Sequence, residues 1–109
     1  MGELNKLLRL LVQGDKEGKI TAVTAMPTAT KFTSQLTSGQ TRKALAVYNH
    51  SDTASGDCYY SYSSSADISG ESMVIPKGAL VDVPVANDID VYFFTASGEM
   101  GNLRVEELA

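Results

Sequence analysis

A chain of 109 residues fits one domain and leaves no room for two ordinary hydrophobic cores. With 43% hydrophobic residues and a mean hydropathy of -0.07, it carries enough apolar side chain to fold, which excludes wholesale disorder. The net charge of -4 is divided: residues 1–43 carry +4 and residues 44–109 carry -8, so the strongly acidic larger part argues against a nucleic-acid partner.

Leu4, Leu7, Leu8 and Leu11 fall at helical spacing, with Asn5, Lys6 and Arg9 elsewhere on the wheel, so the spacing predicts a short amphipathic helix. At about three turns such a helix is marginal alone in water and needs a surface to dock on, either its own domain or another subunit. Gly14 and Gly18 close it. From Lys19 to Thr41 no acidic residue occurs, and Lys19–Ala25 and Lys31–Leu36 have the β-branched content of strands, separated by Pro27. The stretch from Lys19 onward reads as an extended arm or an edge hairpin, and residues 1–43 are set apart as a helix and basic arm, with 44–109 as the β-domain.

Ala44–Tyr48 reads as a strand closed by the turn formers Asn49, Ser51 and Asp52. In Asp57–Ser63, alternation puts Cys58, Tyr60 and Tyr62 on one face and Tyr59, Ser61 and Ser63 on the other. Met73-Val74-Ile75 then meets a Pro76-Lys77-Gly78 corner, after which Ala79, Val81, Val83 and Val85 alternate with Leu80, Asp82 and Pro84. Pro76 fixes φ and Gly78 tolerates a positive φ, so the chain reverses or changes sheets there without strain. Ile89, Val91 and Phe93 alternate inward in the next strand, and Ser97-Gly98 turns into Leu103-Arg104-Val105-Glu106. Short strands at this spacing predict a mainly β protein: an antiparallel β-sandwich or jelly-roll-like barrel with a short N-terminal helix and an extended arm.

Little here supports chemistry. Cys58 and His50 are the sole thiol and imidazole. Cys58 lies on the presumed inner face, where an unpaired Cys is usually a small buried hydrophobe, and His50 lies in a polar turn. A lone Cys fits a reducing compartment, and one Cys with one His leaves a zinc site two ligands short. Asp82, Asp88 and Asp90 are the candidates for a calcium or glycosidase carboxylate cluster, but no calcium-loop pattern accompanies them, and no phosphate-binding glycine loop is present. Neither metal nor cofactor is expected, nor a signal peptide or membrane span. Tyr59 and Tyr62, beside Ser63-Ser64-Ser65, form a candidate ligand surface, although alternation favours only Tyr59 as exposed.

Ile75-Pro76-Lys77-Gly78, Val81-Asp82-Val83-Pro84, Asp90-Val91-Tyr92-Phe93 and the closing Ser97-Gly98 with Leu103-Arg104-Val105 resemble small β-sandwich structural proteins of tailed-phage virions. The resemblance covers residues 44–109 and rests on turn and strand chemistry. It implies a non-enzymatic head decoration or accessory capsid subunit, made in the host cytoplasm and carried in the virion. The implied partners are copies of itself, with a trimer favoured, and the major capsid protein or another virion protein. Leu4, Leu7, Leu8 and Leu11 are then the expected helix contacts, and Lys31, Arg42 and Lys43 the partners for acidic surface. The competing expectation is a tail, neck or fibre module that binds host glycan through the Tyr59–Ser65 region.

Overall fold

The computed structural model describes residues 17–51, 56–83, 85 and 89–109. Eight strands make up its regular structure: β1 (Gly18–Ala25), β2 (Thr30–Lys31), β3 (Ala44–Asn49), β4 (Cys58–Ser61), β5 (Met73–Ile75), β6 (Leu80–Val83), β7 (Tyr92–Thr95) and β8 (Gly101–Leu108). They form two four-stranded antiparallel sheets, ordered β1-β8-β3-β6 and β2-β7-β4-β5. Only β4 and β5 are joined within one sheet; every other connection crosses to the opposite layer.

The two-residue period of each strand supplies the core. Leu45, Val47, Val83, Leu103 and Val105 point inward from the first sheet, and Cys58, Tyr60, Ile75 and Phe93 from the second. Phe32 meets Phe93 edge to face at 6.0 Å between ring centres. Every one of these side chains is buried, so the layers share one hydrophobic interior whose burial is the main stabilising term.

The Pro76-Lys77-Gly78 corner carries the chain from the second sheet to the first. Ala79 N donates to Pro76 O at 3.0 Å, closing a tight turn in which Gly78 has φ +77°. Ala96-Ser97-Gly98-Glu99 repeats the device between β7 and β8, with Gly98 at φ +81° and Glu99 N donating to Ala96 O at 3.1 Å. Both expected glycine corners are therefore the places where the chain changes layer.

Three sequence expectations are revised. Residues 18–31 are not appended to the sandwich: β1 pairs along its whole length with β8, and β2 pairs with β7. Of the two expectations for this stretch, an extended arm or an edge hairpin, the edge position holds, with only Val23 and Ala25 of β1 facing the core, but β1 and β2 pair with β8 and β7 rather than with each other. Ile89 and Tyr62, expected inside, are 43% and 54% exposed, because β7 begins after Ile89 and β4 ends before Tyr62, so strand alternation governs neither. Lys31–Leu36 contributes only its first residue to a strand. The predicted helix lies outside the described residues.

Candidate functional site

One end of the sandwich is closed by charge. Leu103, Val105 and Glu107 occupy alternate positions of β8, so the strand period that buries the two apolar residues also turns Glu107 inward. Glu107 is fully buried, and the Arg42 guanidinium, itself 4% exposed, meets it at 3.4 Å. The second carboxylate oxygen accepts the Gln35 N–H at 2.8 Å, and Arg42 also donates to the carbonyls of Val85 and Ile89. Expected as a partner for acidic surface, Arg42 is instead turned into its own chain. The cluster ties the 32–43 segment, the β6–β7 connection and β8 together at that end.

A second polar cluster holds the corner. Asn49, the last residue of β3, is fully buried. Its amide nitrogen donates to the carbonyls of Gly56 at 2.7 Å and Ile75 at 2.8 Å, and its amide oxygen accepts Ser51 N at 3.0 Å. Its backbone carbonyl accepts Gly78 N and its backbone N–H donates to Ala79 O. Its side chain thus fixes the arm that enters the turn and its backbone the arm that leaves it, and Ser51 Oγ passes the restraint to β8 by accepting Asn102 N at 3.0 Å. Read from sequence as a turn former, Asn49 gave no sign of this role. Glu107 had a readable signal, its parity with Leu103 and Val105.

The other expected residues disperse. Leu4, Leu7, Leu8 and Leu11 lie outside the described residues. Lys31 bridges Asp90 at 3.4 Å on open surface, and Lys43 is exposed, with its backbone N–H bonded to Leu108 O. Asp88 lies outside the described residues, while Asp82 is on β6. Among the described residues, no group of three or more His, Cys, Asp or Glu is placed to hold a metal ion. Tyr59 is half-buried and stacks on Phe94 at 5.6 Å, whereas the exposed Tyr62 meets the edge of Tyr60 at 6.1 Å. Of the two, only Tyr62 presents a largely free ring.

The Cys58 thiol is fully buried and contacts Ser51 Oγ at 3.7 Å, while His50 is exposed with its ring 5.8 Å from that of Tyr48. Burial pushes the thiol pKa up, the opposite of what a nucleophilic thiolate needs. Two of the recesses lined by described residues lie near these side chains or the sheet edges. One of about 360 Å³ is lined by Tyr48, His50, Ser51, Lys77 and Asn102. The other, about 180 Å³, lies between the edge strands β1 and β2 over Val23, Phe32 and Phe93. No helix among the described residues is long and apolar enough to cross a membrane.

No protein-family model matches the chain, and no curated protein matches it. Among solved structures it is similar to a chain from work described as "Bacillus endospore appendages form a novel family of disulfide-linked pili". Identity is 18% over 84% of this chain and 85% of that one, with a TM-score of 0.48, a likeness too loose to assign fold or function.

Proposed function

We propose that this protein is a non-enzymatic structural subunit of a tailed-phage virion, acting as a head decoration or capsid-stabilising component that assembles with copies of itself and with the shell. The resemblance of residues 44–109 carries the virion reading, and the outer face of the first sheet is the structural observation that supports assembly with a partner. Tyr48 and Leu80 sit side by side there in one cross-strand row that also holds Arg104 and Ala22, and Ile20 stands in the next row. Ile20 is 72% and Leu80 55% exposed. Single apolar residues on a surface need no explanation, but the adjacent Tyr48 and Leu80 form an apolar pair that suits a protein partner, while Ile20 stands on the opposite edge of the sheet beside Glu106.

The internal polar groups favour the same conclusion. Arg42, Asn49, Ser51, Ser61, Thr95 and Glu107 are the buried polar residues among those described, and each is engaged in a bond that closes an end, a corner or a turn. None is held in reserve for a substrate. The finer fold assignment belongs to this proposal too: we propose a jelly roll, an architecture found in viral capsid and lectin domains, and the strand orders β1-β8-β3-β6 and β2-β7-β4-β5 support it. Because a fold hosts many functions, the virion assignment itself rests on the resemblance of residues 44–109.

The test is copy number. Particles purified from the host should contain this chain in many copies, in fixed ratio to the major capsid protein, and its absence from particles would end the proposal. A few copies per particle would favour the alternative, a tail, neck or fibre module that binds host glycan. The exposed ring of Tyr62 beside Ser63, Ser64 and Ser65 supports that second reading.

A further inference from the structure

We infer that β1 is a self-pairing edge, and that two copies of this chain join through antiparallel β1–β1 contact about a two-fold axis, making one continuous eight-stranded sheet. The inference deepens the assembly reading by naming the partner as a second copy, and it replaces the expected threefold arrangement with a two-fold one.

The hydrogen-bond phase of β1 follows from its first neighbour. Glu17 and Ala109 exchange both backbone bonds, at 3.5 and 2.8 Å. Alternation along the antiparallel ladder then commits Lys19, Thr21, Val23 and Ala25 to β8 and turns the N–H and C=O of Gly18, Ile20, Ala22 and Thr24 toward the open side. All four of these residues are exposed. The strand runs eight residues, about 27 Å. It has no acidic residue, no proline and no bulge, and Lys19 is its single charge.

The match in length selects the occupant. The other described edge strands are β2 with two residues, β5 with three and β6 with four, and β6 is followed in sequence by Pro84, which has no donor. Among the described edges, only another β1 offers an equal run of groups. Charge favours the same contact: two copies of net charge -4 repel in general, but β1 itself holds no acid, Glu17 lies at its end and Glu106, which faces Ile20, stands one strand back on β8, so approach along this edge brings no two carboxylates face to face.

The register is also set. The outward groups meet when Gly18 faces Thr24 and Ile20 faces Ala22 of the other copy, which gives four facing pairs exchanging two bonds each. Thr21 lies on the axis. Lys19 then faces Val23, so the two lysines sit toward opposite ends of the joint, and the two Ile20 side chains become diagonal neighbours over Ala22. The largest exposed apolar side chain on the edge thereby gains an apolar partner.

Ala22→Pro in the full chain removes an outward N–H and inserts a ring where the second copy would lie, without touching the β8 ladder. Sedimentation equilibrium should give the unmodified chain twice the 11.6 kDa mass of one copy, and Ala22→Pro one copy's mass with an unchanged far-UV CD spectrum. Should that variant not fold, Ile20→Lys with Ala22→Lys, which leaves the backbone alone, should halve the mass. Amide exchange at Ile20, Ala22 and Thr24 should slow as concentration rises through the dimer transition. A chain that is monomeric throughout, a mass unchanged by these substitutions, or an open-ended series of masses would overturn the pairing. These outcomes concern the edge alone, whereas absence from particles concerns the virion reading alone.

Discussion

Replacing Gly101 with Ala offers a sharp test of how the two layers meet. Gly101 begins β8, is buried, and lies opposite Ala25 of β1. A Cβ built there would lie within the van der Waals radius of Cys58 Sγ, 3.2 Å from Thr95 Cγ2 and 3.4 Å from Ala25 Cβ. None of these neighbours yields easily: Cys58 pairs with both Thr95 and Ile75, and Thr95 Oγ1 donates to Glu99 O at 2.8 Å. Overpacking of this kind costs about 1–3 kcal/mol, and with three fixed neighbours the upper half of that range is expected. For a domain of this size, 2 kcal/mol lowers Tm by about 10 °C. Cys58→Ala alone removes one sulfur and leaves a small void, costing about 1 kcal/mol. Combined, the new methyl occupies the space the sulfur vacated, so the double variant should lie within about 1 kcal/mol of the parent, and the cycle should show coupling of about 1–3 kcal/mol. Urea unfolding followed by tyrosine fluorescence measures all four corners. A double variant as unstable as the sum of the two single changes would refute the contact of Gly101 with the thiol.

Three further outcomes follow, two from the polar clusters and one from the buried thiol and phenol. Removing either Arg42 or Glu107 by substitution with Ala leaves its partner charged and buried, so each should cost about 3–5 kcal/mol in chemical denaturation, with the double substitution costing clearly less than the sum. Asn49→Ala strands the carbonyls of Gly56 and Ile75 and the Ser51 N–H, each at about 1–3 kcal/mol, and amide exchange at Gly78 and Ala79 should quicken before the global transition. Burial raises the Cys58 thiol and Tyr60 hydroxyl pKa values. The folded chain therefore keeps protons that the unfolded chain releases, and stability should fall as pH climbs past the ordinary thiol value of about 8.5, with a shallower fall in Cys58→Ala.

Period-two alternation, the spacing of turn residues and the Pro76-Lys77-Gly78 and Ser97-Gly98 corners were enough to read a two-layer antiparallel β protein, because strand faces and glycine turns are properties of short segments. The inward set of Cys58, Tyr60, Val83, Val91 and Phe93 was legible for the same reason, and all five are buried. Where each strand stops was not legible: Tyr62 and Ile89 fit the alternating pattern but fall just beyond a strand end, which pairing partners fix rather than local propensity.

The long-range decisions belong to tertiary structure. Whether Gly18–Ala25 trails from the domain or lines its edge depends on β8, which is remote in sequence yet supplies the whole of its ladder. Arg42 and Glu107 look like two surface charges until the fold brings them together across 65 residues. Asn49 looks like an ordinary turn residue until three separate carbonyls and amides converge on its side chain. Sequence determined which faces are apolar and where the chain can bend. Only the closed sandwich decided which polar groups it traps and which strand keeps an open side, since both depend on contacts between segments that carry no mark of one another.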